Sequence, residues 1–143
     1  TKESSKIYLT IEAENFNYIA AGKTKAELNI TAKTVVLDLS DTSKIEDLIN
    51  SETITIDMLQ RANAILEGDS NELTIKVDNS AILKAEKLIT KTCNLITEGR
   101  ADVHIEASKD IVIEASGTTE TYIYGSPKIE INKFDDDAIL RKK

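Results

Sequence analysis

The side chains that could carry chemistry are few and far apart. His104 is the only histidine and Cys93 the only cysteine in 143 residues. Zinc needs several converging Cys, His or carboxylate ligands, and a nucleophile needs a base within hydrogen-bond reach. His104 lies between Val103 and Ile105 in an alternating run, so it points away from the core. It reads as a surface histidine, because pairing with Ser108 would require the two to be spatial neighbours. Cys93 falls at an apolar position, where a thiol behaves as a small inert filler, and alone it can form no intramolecular disulfide. Asp135, Asp136 and Asp137 form the densest acidic run, with Glu98 and Asp102 near another turn. Calcium takes about six to eight oxygens from converging loops, and the glycine-aspartate nonapeptide of calcium-binding β-rolls is missing, so the run reads as a solvated turn. No phosphate-binding glycine loop, nucleophile elbow or His-Glu metal motif is present. No catalytic residue, metal or cofactor is expected.

Two groups of residues suggest a surface instead. Tyr122 and Tyr124 flank Ile123 and share a face opposite to it, where they could stack on carbohydrate or on a partner protein. Asn17, Val36, Thr55, Thr74, Asn94 and Val112 form a ladder of small and polar side chains. From these groups Tyr122, Tyr124, Thr55, Thr74 and Asn94 make up the candidate ligand surface. Two adjacent threonine rungs are too few to argue for ice binding.

These residues are positioned by a repeat. Residues 103 to 126 hold three short alternating runs, V-H-I-E-A, I-V-I-E-A and T-Y-I-Y, with a break at Ser116-Gly117-Thr118. Alternation at period two marks strands, and Ser-Gly marks a turn. One column reads Ile7, Ala26, Ile45, Ala64, Leu83, Val103, Thr121 and Ile139, with steps of 19, 19, 19, 19, 20, 18 and 18. A second reads Leu9, Leu28, Asp47, Leu66, Ala85, Ile105 and Ile123. The other strand of each repeat supplies Phe16, Val35, Ile54, Leu73, Cys93, Ile111 and Ile129, then Tyr18, Leu37, Ile56, Ile75, Leu95, Ile113 and Ile131. Gly22, Asp41, Gln60, Asn79, Gly99, Gly117 and Asp135 mark one turn, most being types that tolerate left-handed backbone. Ala13, Ala32, Ser51, Ser70, Ser108 and Ser126 mark a second corner, with Ile89 breaking the series.

A unit this short cannot close its own core, but coiling places each strand under its counterpart, so that every column becomes a buried stack. The expected fold is all-β: a single-stranded, right-handed parallel β-helix, or solenoid, of about 19 residues per turn and about seven turns. It forms one domain over residues 1 to 143, with 1 to 6 a disordered or leading segment and 7 to 141 the repeats. Residues 42 to 66 have helical propensity, with Leu, Met, Gln, Arg and Ala, yet the columns pass through them without a gap, so strand is expected. Asp47 stands in an inward column, where a rim position, a paired neighbour or a register change could account for it.

Composition excludes several classes. Hydrophobic residues at 41% support a folded core despite 30% charged residues. A net charge of -7 and a pI near 4.8 argue against nucleic acid or an anionic membrane as partner. No apolar run of about 18 residues is present to span a bilayer. The chain opens Thr1-Lys2-Glu3 with no signal peptide visible, as in a mature or truncated protein without its targeting segment.

The repeated unit, as in LDLSDTSKI, IKVDNSAIL and IEASGTTETYIYGSPKIEI, resembles the bacterial auto-transporter adhesin head GIN domain family. I-E-A-S-G-x-x-x-x-Y-I-Y-G-S-P-K at residues 113 to 128 is its most specific part, and the resemblance runs from about Lys6 onward. The family usually repeats a Ser-Gly-Ala-Ser turn; here only Ser116-Gly117 keeps it, and Asp41, Gln60 and Asn79 replace the glycine. Family members also carry further strands upstream, so the chain is expected to lack them and to present an unpaired strand edge at residues 7 to 11. The resemblance implies a secreted, periplasmic or cell-surface protein of Gram-negative bacteria that works in adhesion, with no enzymatic activity. The expected function is non-enzymatic binding of a cell-surface glycan or protein. Alternatives are end-to-end stacking of a homo-oligomer through the exposed edge and, less favoured, a polysaccharide-active enzyme, which would need a groove of clustered charged residues.

Overall fold

A computed structural model describes residues 5–135 and 137–142. The leading segment expected at residues 1 to 6 falls largely outside these, and strand structure begins at Ser5 rather than at Ile7. Asp136, in the middle of the acidic run, also lies outside the described residues. Nine strands follow: β1 (Ser5–Ala20), β2 (Thr24–Leu39), β3 (Lys44–Met58), β4 (Asn63–Val77), β5 (Ile82–Thr97), β6 (Asp102–Ala115), β7 (Glu120–Tyr124), β8 (Lys128–Phe134) and β9 (Ile139–Lys142). All pair in parallel with the strand one turn away. β7 and β8 both lie beneath β6, and β9 lies beneath β7. Ser5 faces Thr24, Lys25 faces Lys44 and Lys44 faces Asn63, so each coil takes 19 residues. The molecule is a β-solenoid of about seven turns, with no helix among the described residues. Residues 42 to 66 enter β3 and β4 as expected, because Ile45, Ile49, Ile54, Ile56 and Met58 each fill an inward stack.

Each long strand bends once. Glu14, Lys33, Glu52, Asn71 and Lys91 are exposed at the bend, and it splits the rung into a first segment and a second one. Stacking the segments gives two sheets whose inward side chains meet. Ile30, Leu37, Ile54, Leu73, Ile75 and Leu83 are almost fully buried between them, and each contributes about 1.5–3 kcal/mol. Cys93 is buried in the Leu73 to Ile111 column, as its position implied. Burial pushes its thiol up to about 12, so it stays protonated and unreactive.

The turn after each second segment uses positive φ at Gly22, Asp41, Gln60, Asn79, Gly99 and Gly117, the column read from the sequence. Asp41 also accepts the Gly22 N–H through Oδ2 at 2.8 Å, which ties one turn to the next. Asp135 does not continue this column. Its N–H donates to Ala115 O as Ser116 N–H does to Thr97 O, one place early, because a register shift in β8 consumes an extra residue.

The other corner departs from expectation after the fourth turn. Thr90 and Ala107, not Ile89 and Ser108, continue the series Ala13, Ala32, Ser51 and Ser70, and Gly125 rather than Ser126 lies against Ala107. The Ser51, Ser70 and Thr90 hydroxyls sit 3.0, 3.0 and 3.2 Å from the carbonyl two residues on, and so fasten the bend. The cause of the slip is β5. Lys84 and Lys87 face Ile65 and Glu67, so β5 spends one residue more than β4, and Ile89 is pushed out to 52% exposure. At the far end Leu140, not Ile139, stands beneath Thr121.

Asp47 lies neither at a rim nor at a register change. It pairs in register with Leu28 on one side and Leu66 on the other, one rung before the β5 bulge, and is 4% exposed. Burial pushes its carboxyl up to about 8, with the Leu28 backbone amide acting in the opposite sense. Neither oxygen has an aligned hydrogen bond among the described residues.

Candidate ligand-binding face

Strand alternation turns every second residue outward, and the two sheets present different surfaces. On the second sheet Asn17, Val36, Thr55, Thr74, Asn94 and Val112 are consecutive rungs of one ladder, as the repeat predicted. Thr34, Thr53 and Thr92 stand beside them in the next outward column. The central column is short, while Glu72 stands between Thr53 and Thr92, and Asp38, Asp57 and Lys76 form the outward column on its other side, so the face is smooth along its middle and charged at its flanks.

The first sheet is ridged. Its central outward column runs Tyr8, Glu27, Glu46, Ile65, Lys84, His104, Tyr122 and Arg141. Over the first four turns this column and its neighbour, Thr10, Asn29, Leu48 and Glu67, form the walls of an open groove of about 500 Å³. Leu9, Leu28 and Asp47 lie between the walls and make the floor. Lys44 Nζ is 3.5 Å from Glu46, and Lys87 Nζ is 3.8 Å from Glu67, at the rung where β5 bulges and the groove stops.

Past the bulge the same column becomes aromatic. The His104 and Tyr122 rings stack with centroids 4.5 Å apart and planes 10° from parallel, while the Tyr124 ring is tilted 32° at 6.2 Å from His104. Stacking occurs along the solenoid axis, with Lys84 above His104 and Arg141 below Tyr122 in register. The ring faces are therefore turned toward neighbouring rungs, and the ring edges face outward. Those edges are polar: His104 Nδ1 lies 3.3 Å from the Tyr124 hydroxyl, Nε2 lies 3.3 Å from Asp102 Oδ1, and the Tyr122 hydroxyl donates to Glu120 Oε2 at 2.7 Å. That hydrogen bond leads the causes raising the Tyr122 phenol above its ordinary pKa.

The structure thus brings Tyr122 and Tyr124 together and adds His104, whose neighbours are Asp102 and two tyrosines rather than Ser108. Thr55, Thr74 and Asn94 lie together on the other sheet, so the five candidate residues form two separate surfaces. Sequence reading missed the groove and the histidine's place in the aromatic ladder. The signal was available, because the outward column from Tyr8 to Arg141 keeps the same period as the buried ones. Asp135 lies 3.9 Å from Lys133 Nζ, and no group of three or more metal-ligating side chains gathers among the described residues.

A solenoid with one smooth face and one ridged, polar-aromatic face belongs to a class built for extended surfaces. Within that class, the family described as "Putative auto-transporter adhesin, head GIN domain" matches residues 2–127, and the chain belongs to it. The description is that of an adhesin's head, which carries the expectation of binding rather than catalysis and of an extracytoplasmic position. No curated protein and no solved structure matches the chain.

Proposed function

We propose that the chain is a non-enzymatic binding module of the bacterial envelope that engages a cell-surface glycan through the ridged face of its first sheet. The observation that supports this most is the His104, Tyr122 and Tyr124 ladder. It lines up a histidine, two phenols and the carboxylates of Asp102 and Glu120, a dense set of donors and acceptors for sugar hydroxyls. Ring edges rather than ring faces would make the contacts. A glycan array probed with the protein and with Tyr122→Ala and Tyr124→Ala tests the reading: binding reduced about tenfold or more by either change supports it. An array with no ligand, or binding indifferent to both changes, overturns it. Thr55, Thr74 and Asn94 would serve a separate, flat ligand.

A second reading, end-to-end stacking, draws on Leu9 and Ile19 on the first turn and on Ile131, Phe134 and Ile139 on the last two, all exposed. A second copy or further turns of a longer chain would cover them equally well. Sedimentation over a concentration series favours stacking if mass grows with concentration and removes it if the protein remains monomeric.

A further inference from the structure

His104 stands between two groups of different hydrogen-bonding character. Asp102 Oδ1 lies 3.3 Å from Nε2, and the Tyr124 hydroxyl lies 3.3 Å from Nδ1. An ionised carboxylate only accepts hydrogen bonds, so the ring nitrogen that faces it carries a proton. In the neutral ring Nδ1 then holds a lone pair, and the Tyr124 O–H donates to it. With its hydrogen committed to the ring, the phenol can only accept from a ligand. A second proton on the ring reverses this. Nδ1 gains an N–H that donates to the Tyr124 oxygen, and the phenol hydrogen turns away from the ring, where it is a donor for a ligand. Charged groups surround the ring from every strand packed against it: Lys84 of β5, Asp102 and Glu106 of β6, Glu120 of β7 and, beneath Tyr122, Arg141 of β9. Tyr122 and Tyr124 are its phenol neighbours. Imidazole is the side chain whose charge ordinarily changes between about pH 5 and pH 8.

We infer that the charge on His104 sets the hydrogen-bonding sense of the Tyr124 hydroxyl, and that the ladder with His104 charged takes a glycan bearing N-acetylated amino sugars. A sugar hydroxyl both donates and accepts, so the reversal leaves it indifferent. An acetamido carbonyl only accepts, and it finds a donor in Tyr124 only when His104 is charged. The acetamido N–H points the opposite way from its carbonyl, and the carboxylates of Asp102 and Glu120 stand on the opposite side of the His104 column from Tyr124. An acidic sugar would instead bring a negative charge beside Asp102, Glu106 and Glu120. The inference rests on the reading of the ladder as a glycan site and adds its sugar class and its control by a proton.

Because His104 is the only histidine, protein labelled with ¹⁵N in histidine alone reports this ring by itself. Its NMR signals should place the proton of the neutral ring on Nε2. The same signals, followed with pH, give the conditions at which the ring is charged and neutral, and affinities for an N-acetylglucosamine tetramer and a glucose tetramer are measured at both. The acetylated tetramer should bind the charged form about threefold or more tightly, and the glucose tetramer should show no such gain. His104→Phe, which keeps a stacked ring, and Tyr124→Phe, which removes only the hydroxyl, should each make the affinity for the acetylated tetramer independent of pH. A neutral ring protonated on Nδ1, equal affinity for the two forms of the native protein, or a pH dependence that survives in either variant overturns the inference. The same gain with the glucose tetramer overturns the acetamido assignment. Binding that ignores the charge on His104 leaves the glycan reading standing, whereas a protein that binds neither tetramer nor any glycan on the array removes both.

Discussion

The two sheets of this solenoid are made by the same turns and buried by the same rule, yet their outer surfaces have little in common. On the first, Tyr8, Glu27, Glu46, Ile65, Lys84, His104, Tyr122 and Arg141 stand in one column; on the second, Asn17, Val36, Thr55, Thr74, Asn94 and Val112 do. Inward positions are constrained by stacking, since each must fill the space between its counterparts above and below. Outward positions carry no such demand and are free to differ; charged side chains stand on both faces, Glu72 and Lys76 among them on the second, and the contrast lies in the two central columns. The first sheet is also the less regular. It holds the buried Asp47, the positive-φ Gly68 within a strand and the bulge of β5, while the inward positions of the second sheet carry no carboxylate among the described residues.

The largest test of that contrast is Asp47. Its folded pKa of about 8 lies above the ordinary value of 3.8, so the stability it permits is fully present below about pH 4 and is lost as pH rises through about 8. The loss is on the order of 5 kcal/mol. Urea unfolding of the native protein should show that decline between pH 5 and pH 8.5, and Asp47→Leu should largely remove it. A parallel decline in both proteins would place the titrating group elsewhere.

Gly68 comes next. Its φ of 123° is open to glycine alone, and a Cβ there would collide with the Ile49 carbonyl oxygen. Gly68→Ala should cost about 3 kcal/mol or more, read from the denaturant midpoint. A change under about 1 kcal/mol would mean that the strand relaxes freely at this point.

Smaller still is the difference between equivalent outward positions. Tyr122→Ala removes a stacked ring and should cost about 1 kcal/mol, whereas Thr74→Ala on the smooth face should stay within about 0.5 kcal/mol. Equal costs would erase the energetic distinction between the faces.

Much of this was legible in the sequence, and the limits have physical causes. Inward columns show themselves because burial forces apolar side chains at a fixed period, and the left-handed turn column does so because Gly, Asn and Asp tolerate its backbone. The corner series failed after Ser70, since the extra residue in β5 moves the corner to Thr90; the hydroxyl of Thr90, matching Ser51 and Ser70, was the signal, and a strict period of 19 passed over it. Asp47 was visible as an anomaly, but its burial depends on Leu28 and Leu66 standing in register above and below it. The groove depends on the lengths of side chains brought together from four turns, and the ladder of His104 and Tyr122 depends on ring orientation; neither is written in any single stretch.

The central claim, that the ridged face is the binding face, can be tested by blocking one face at a time. Cys93 is buried and its thiol is held up to about 12, so a cysteine introduced at the surface can be labelled selectively. Glu106→Cys places a bulky maleimide polymer on the ridged face beside Tyr124, and Thr74→Cys places the same polymer on the smooth one. The measurement is binding of each conjugate to the best ligand on the glycan array. Loss of binding with the label at position 106 and retention with the label at position 74 is the predicted result. Retention at 106 with loss at 74 would contradict the account and move the binding face to the threonine ladder.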